Sequence, residues 1–163
     1  MKRTSLSLVL LFTVLVLSGC QQSEKKELLL NALFTDHMVL QQKKEVAFWG
    51  SYTPNEEITV HGSWGSESSC VADAFGQWKL SIATPKAGGP YEVTIRTKST
   101  TKSIKDVLIG EVWLASGQSN MEMDFDYCCN TTDFSELERA TANYPNIRMI
   151  NVKKQLSLTP VQE

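Results

Sequence analysis

The chain has 163 residues, of which 42% are hydrophobic and 21% are charged, and its formal net charge at pH 7 is −2. This balance is typical of a globular protein of one or two small domains and excludes a disordered or fibrous chain. Because no cluster of Lys and Arg follows the first few residues, the sequence lacks the positive field that gathers phosphates, and no nucleic-acid partner is expected.

The amino-terminus has the pattern of an export leader. Two basic residues precede an apolar run from Leu6 to Leu17, which is shorter than the roughly 20 residues that a membrane-spanning helix needs. The run ends in Leu17–Cys20, which resembles a bacterial lipobox. That resemblance implies a lipoprotein signal peptide over residues 1–20, a lipid on Cys20 that anchors the protein in a membrane, and a polar tether over residues 21–27. We therefore expect an exported bacterial lipoprotein that faces the periplasm or the cell surface; the alternative is a plain secretory leader in which Cys20 is incidental.

From residue 28 to residue 105, short β-type runs alternate with turn residues. Val46–Trp49 is a short apolar strand that Gly50 is expected to stop, and Glu57–Trp64 alternates between apolar and polar side chains, as in a strand with one buried face. Turn signals at residues 73–76 and 87–90 each precede a further strand. Strands at such close intervals predict an antiparallel β-sandwich over residues 28–105.

Large aromatic residues lie within or beside these strands: Trp49, Trp64, Trp78 and Tyr91. Aromatic side chains dominate small sandwich cores. We expect these four in the core and not on a ligand-binding surface.

Three cysteines follow Cys20, namely Cys70, Cys128 and Cys129. Adjacent cysteines cannot easily pair with each other without backbone strain, and no spacing typical of Cys or His metal ligands is present. We expect free or half-buried thiols, or a partner cysteine beyond Glu163, and we expect no metal and no cofactor.

The pattern changes at Asp106. Val107–Ser116 is nearly continuous in apolar residues, as in a parallel strand that helices cover on both faces. This predicts that a second domain begins here and occupies residues 106–163.

A helix and a second strand are predicted after this buried strand. Asp133 can cap a helix that ends near Asn143 and carries Phe134, Leu137 and Ala140 on its inner face. Pro145 then precedes the strand candidate Ile147–Val152. The order strand, turn, helix, strand is the start of a right-handed parallel unit.

The turn Gly117–Met121 lies between the predicted strand and helix. A serine at the carboxyl end of a parallel strand projects into the crevice where open α/β sheets bind ligands, so Ser119 is a candidate nucleophile. Gly117 permits a sharp turn, and the Ser119 amide is a candidate oxyanion donor. Met121 stands where the elbow of α/β-hydrolases has its second glycine, so the chemistry belongs to another fold.

The segment Gly110–Met123 resembles the nucleophile block of the sialate O-acetylesterases, a branch of the SGNH hydrolases. Other segments resemble the amino-terminal half of that family in the same order: Leu33–Gln41, Trp49–Gly50, Asp73–Trp78, Ala87–Val93 and Tyr144–Arg148. The resemblance implies a mixed fold, in which the antiparallel β-sandwich is followed by the truncated beginning of an α/β/α SGNH-hydrolase domain.

The resemblance also implies a reaction. The substrate is an O-acetylated sugar, sialic acid or another glycan, and Ser119 forms an acetyl-enzyme while Gly117, Gln118 and Asn120 support its turn. The alternatives are an esterase with acetyl xylan-type specificity, or a non-catalytic glycan-binding lipoprotein that uses the sandwich alone.

The family's catalytic histidine, in a D-x-x-H motif, is absent from these 163 residues. His37 is expected in a turn and His61 on the polar face of a strand, so neither is expected to activate the serine. We therefore expect an incomplete or inactive fragment that is loosely ordered or aggregation-prone past Asp106, because so short a domain buries too little of its surface.

Overall fold

The computed structural model describes residues 27–123 and 135–152. Within this part of the chain the strands are β1 (Leu29–Leu30), β2 (Val39–Gln41), β3 (Glu45–Ser51), β4 (Glu57–Gly62), β5 (Ser66–Val71), β6 (Gln77–Ala83), β7 (Gly88–Arg96) and β8 (Thr101–Gly110). Two short helices follow, α1 (Ser119–Glu122) and α2 (Ser135–Thr141). The described structure is therefore dominated by sheets and has little helix.

The strands form two sheets that share one hydrophobic core. A three-stranded sheet has the order β1-β3-β6, and a five-stranded sheet has the order β2-β8-β7-β4-β5. All pairs are antiparallel except β2 with β8, which is parallel. Phe48 and Ile82 from the first sheet lie in the same buried cluster as Ile58 and Val93 from the second.

The period of two in the sequence sets which side chains reach this core. In β4, Ile58 and Val60 are buried while their neighbours are more exposed, and β6 alternates in the same way. Successive side chains of a strand point to opposite faces of its sheet, so the predicted alternation is confirmed.

The turn predicted at residues 73–76 is built by an aspartate and a glycine. Asp73 Oδ1 accepts hydrogen bonds from the backbone N–H groups of Phe75 and Gln77, both at 2.8 Å. Gly76 has φ +81°, and a Cβ there would lie 2.2 Å from the backbone oxygen of Tyr52. The position therefore requires glycine for both conformation and space.

The sequence predicted that Gly50 would stop β3. This prediction is wrong, because the strand continues to Ser51. The residue pairs with Leu30 of β1, and a Cβ at Gly50 would lie 2.1 Å from the backbone oxygen of Leu29. A glycine here lets the neighbouring strand approach closely.

Polar side chains join the two sheets at their rims. Trp64, which follows β4, donates a hydrogen bond from Nε1 to the backbone oxygen of Ala83 in β6 at 2.8 Å. The Tyr52 hydroxyl, just after β3, shares a hydrogen bond of 2.7 Å with Ser99, in the turn between β7 and β8. These contacts fix one sheet over the other at two separate places.

Three of the four large aromatics lie in or against the core, as the sequence predicted, and Trp49 does not. Trp78 is buried, and Trp64 and Tyr91 pack against the core in an edge-to-face pair with ring centroids 5.5 Å apart. Trp49 is half-buried and meets the ring of Phe34 edge to face at 4.7 Å. These rings serve packing.

The predicted strand Val107–Ser116 needs correction. β8 begins at Thr101 and ends at Gly110, so the predicted domain boundary at Asp106 falls inside it. Its neighbours explain the limits: β7 pairs with residues from Thr101 to Ile109, and β2 pairs only with Leu108–Gly110. Beyond Gly110 the chain leaves the sheet and every residue from 111 to 123 is exposed.

The second predicted strand is also absent. Pro145 and Asn146 form a turn in which the Ile147 N–H bonds the Tyr144 oxygen at 2.9 Å, and residues 147–152 adopt no strand. A strand needs a neighbour that pairs with its backbone, and no described strand adjoins this segment.

The helix predicted after Asp133 is described over Ser135–Thr141, while Asp133 and Phe134 lie outside the described residues. Leu137 and Ala140, which the sequence placed on an inner face, are exposed. None of the helices in the described ranges is long and apolar enough to cross a bilayer.

Cys70 is a half-buried free thiol, as expected, and burial raises its pKa. The predictions for Cys20, Cys128 and Cys129 lie outside the described residues.

Candidate functional site

Ser119 is the first residue of α1 and is exposed to solvent. The sequence placed it at the carboxyl end of a strand, but β8 ends at Gly110 and an exposed segment separates the two. The hydroxyl is therefore accessible to a ligand, as a nucleophile must be, but the edge of a sheet does not present it directly.

Gly117 and Gln118 lead into α1 and Ser119. Gln118 has φ −126° and ψ −144°, and its oxygen accepts a hydrogen bond from the Met121 N–H at 2.8 Å. A Cβ at Gly117 would lie 2.6 Å from Cγ of Met121, so a larger residue would force that side chain aside. Asn120 is the second residue of α1 and is also exposed.

Glu111 fixes the direction in which the chain leaves β8. Its carboxylate accepts hydrogen bonds from the side-chain amides of Gln41 at 2.8 Å and Gln42 at 2.6 Å. The next N–H, of Val112, donates to Oε1 of Gln41 at 2.8 Å. These amide hydrogen bonds hold the pKa of Glu111 below its usual value, the larger effect coming from Gln41.

Asp106 forms a second polar cluster on β8. Nδ1 of His37 lies 2.5 Å from Oδ2 of Asp106. On the other side, the Arg148 guanidinium donates to both carboxylate oxygens at 3.0 Å and also to the Asp106 backbone oxygen. The His37 hydrogen bond, and then Arg148, hold the pKa of Asp106 below its usual value.

Both His37 and Asp106 have left-handed backbone conformations, with φ +67° and φ +53°. The register of β7 with β8 shifts between the pairs Val93 with Ile104 and Tyr91 with Val107. The two strands thus differ by one residue at Asp106, as in a β-bulge, which aims a side chain away from the regular ladder.

Neither histidine is joined to Ser119. His37 lies in the turn before β2 and contacts Asp106, and His61 lies in β4 opposite Glu67 and Thr94. Among the described residues no hydrogen bond links Ser119 to either ring. No group of three or more His, Cys, Asp or Glu side chains in residues 27–123 and 135–152 is placed to hold a metal ion.

The sequence pattern missed the roles of Asp106, Glu111 and Arg148. Asp106 was interpreted as a domain boundary, while Glu111 and Arg148 entered only as parts of matching segments. Their partners lie between 42 and 70 positions away along the chain, so no local spacing could have indicated them.

No protein-family model matches this chain. Curated relatives do. The chain is 36% identical to the sialate O-acetylesterase of Mus musculus over 127 residues, which cover 72% of this chain and 23% of the relative. It is 36% identical to the Homo sapiens protein of the same name over 135 residues, which cover 77% of this chain and 24% of the relative. The chain thus spans about a quarter of the length of these relatives.

The chain is also similar to the crystal structure of a carbohydrate acetylesterase from Xanthomonas citri, with a TM-score of 0.64 and 34% identity, covering 73% of this chain and 26% of that one. At this level of identity the likeness reflects common ancestry as well as a shared fold.

Proposed function

We propose that the protein hydrolyses acetyl esters on sugars, because this chain is related to the sialate O-acetylesterase family over about three quarters of its length. The relationship to these esterases is the observation that carries the proposal. The similar fold of the Xanthomonas citri carbohydrate acetylesterase supports it. The acid product is acetate and the other product is the free sugar hydroxyl.

Ser119 is the nucleophile of this proposal. Its exposed position in a turn leaves the hydroxyl open to an ester. The Ser119 oxygen adds to the acetyl carbonyl, the sugar oxygen leaves, and water then releases acetate from the acetyl-enzyme. The Ser119 N–H is the proposed donor to the carbonyl oxygen as it gains negative charge.

A serine hydroxyl needs a base to take its proton. The sequence holds only His37 and His61, and neither contacts Ser119 in the described residues. We assign the base to a histidine outside these 163 residues, which takes the serine proton and returns it to the leaving sugar oxygen.

We also propose an architecture of two parts. The two sheets over one core fit a β-sandwich module, and Ser119 with α1 and α2 fits the beginning of an α/β/α SGNH-type domain that is only partly present. Because β8 runs through Asp106 to Gly110, we place the junction after β8 and not at Asp106.

The test of the activity is acetate release by the full-length protein from O-acetylated sialic acid, with acetylated xylan as the second substrate. Ser119→Ala is expected to lower kcat by about five to six orders of magnitude, as at other serine nucleophiles. Ser116→Ala is the matched control, because Ser116 is an equally exposed serine in the same segment, and it is expected to retain turnover.

Three results would change the conclusion. Full turnover in Ser119→Ala would exclude Ser119 as the nucleophile. Faster acetate release from xylan would change the substrate, and sugar binding without acetate release would support the glycan-binding alternative.

The lipid anchor at Cys20 is a separate proposal, supported by the sequence alone. Radiolabelled palmitate is expected to label the protein and Cys20→Ser to abolish the label, with the protein moving from the membrane to the soluble fraction. A labelled Cys20→Ser protein would exclude this site.

A further inference from the structure

The chain between β8 and Arg148 is attached to the sheets at both of its ends. At one end Glu111 is bound by Gln41 and Gln42, and at the other Arg148 is bound by Asp106. We call the described residues between these ends, 111–123 and 136–147, the serine segment, because they include Ser119. We call its two attachments the Glu111 clamp and the Asp106 clamp.

Each of the two glutamines that bind Glu111 is itself held by a second hydrogen bond. The two amide donors of the Glu111 clamp flank the end of β2, and Gln42 is itself held because its Oε1 accepts the Ala87 N–H at 3.0 Å. Gln41 donates to Glu111 and accepts from the Val112 N–H, so it sets both a side chain and the backbone that follows. Hydrogen bonds to an ionised carboxylate are about twice as strong as neutral ones.

The Asp106 clamp uses two nitrogens of Arg148, whose side chain is only 20% exposed. Nη2 donates to both carboxylate oxygens at 3.0 Å and Nη1 donates to the Asp106 backbone oxygen, so the guanidinium is held at two separate acceptor groups. His37 approaches the same carboxylate from the turn before β2. Left-handed conformations of non-glycine residues are strained and persist where their surroundings hold them, so this is a tightly determined place in the fold.

Apolar burial does not hold the serine segment. Every residue from 111 to 123 and from 136 to 147 is exposed, and the core cluster contains none of them. The hydrogen bonds of the two clamps join this part of the chain to the sheets. Polar contacts at these two points therefore connect it to the sheets.

We infer that Glu111, Asp106 and Arg148 are positioning residues for the esterase reaction, and that the two-sheet module serves as the rigid mount of Ser119. This inference rests on the proposed function of Ser119. A displacement of about 1 Å in a reacting group can cost about 100-fold in rate, so loosening a clamp lowers kcat while KM changes little.

The test uses Arg148→Met and Asp106→Asn in the full-length protein. Methionine keeps an unbranched chain without the charge, and asparagine tolerates the left-handed conformation that Asp106 requires. Both variants are expected to lower kcat by about 10- to 100-fold with KM within about twofold, and Arg148→Lys, which retains a single-point contact, is expected to fall between them and the unmodified protein. The control is Arg96→Met, which removes another arginine–carboxylate pair, with Glu67 at 2.6 Å, inside the module.

Amide hydrogen exchange supplies a second readout. In Arg148→Met, residues 136–150 are expected to exchange faster while β3 and β6 keep their protection, which also shows that the module remains folded. If amide exchange and kcat are both unchanged in Arg148→Met and in Asp106→Asn, the inference is overturned while the proposed function stands. Full activity in Ser119→Ala would instead exclude Ser119 as the nucleophile and, with it, the positioning role.

Discussion

The apolar run Val107–Ser116 divides into a first half with buried side chains and a second half with exposed ones. Val107 and Ile109 are buried, Ile109 to 2% exposure, whereas Trp113 and Leu114 are 86% and 92% exposed. The run looks uniform along the sequence, and the sequence predicts one buried strand. The fold buries side chains only in the half of the run that pairs with neighbouring strands.

Different interactions stabilise the two regions. Residues 28–110 are held by a shared core between two sheets, which a change of one side chain can damage. The serine segment is held by hydrogen bonds and one ion pair to the module. Its described apolar side chains remain open to solvent, and an exposed apolar set of this size usually marks a surface that another part of a protein covers.

The largest difference is expected between a core residue and an exposed one. Phe48 is fully buried and stacks on Phe34 with ring centroids 4.8 Å apart, so Phe48→Ala is expected to lower the free energy of unfolding by about 3–5 kcal/mol. Leu114→Ala is expected to change it by less than about 0.5 kcal/mol. Urea denaturation measures both, and a loss above about 2 kcal/mol in Leu114→Ala would show that this side chain is covered in solution.

A smaller difference is expected between two tryptophans. Trp64→Phe removes the N–H that donates to the backbone oxygen of Ala83, and the free energy of unfolding is expected to fall by about 1 kcal/mol. Trp113→Phe is the matched change in the serine segment and is expected to have almost no effect, because the side chain is exposed. Equal losses in the two variants would contradict the division into a packed and an exposed region.

The smallest effect is expected on acidification, at the two clamps. The pKa values of Asp106 and Glu111 are lowered in the folded protein. Their contacts therefore stabilise it at pH values above their unfolded-state pKa, and the contribution is lost as the pH falls through the folded pKa.

Below about pH 4 we expect faster amide exchange in residues 136–150, corrected for the intrinsic pH dependence, while β3 and β6 stay protected. The double variant Asp106→Asn, Glu111→Gln is the control, and it should show the faster exchange already at neutral pH with no further step in acid. An acid step of equal size in the double variant would show that other groups cause it.

Much of the module could be predicted from local sequence. Alternation in Glu57–Trp64 predicted a strand that the structure has over Glu57–Gly62, and the Asp73–Gly76 turn is confirmed, because side-chain periodicity and turn chemistry act over a few residues. Gly50 was misinterpreted because its small size serves an adjacent strand, β1, and not a turn of its own. The family was recognised from the segment around Ser119, and the relatives confirm it.

The sequence by itself determined the alternating strand β4, the turn at residues 73–76 and the family to which these segments are related, whereas residues 88–90 of the turn predicted at residues 87–90 lie inside β7. Only the tertiary structure decided where β8 ends, that Leu114 is exposed while Ile109 is buried, and that Asp106 holds His37 on one side and Arg148 on the other. The physical reason is that burial and pairing depend on which distant segments arrive beside a residue, and a local pattern records what a side chain prefers but not which neighbour it meets.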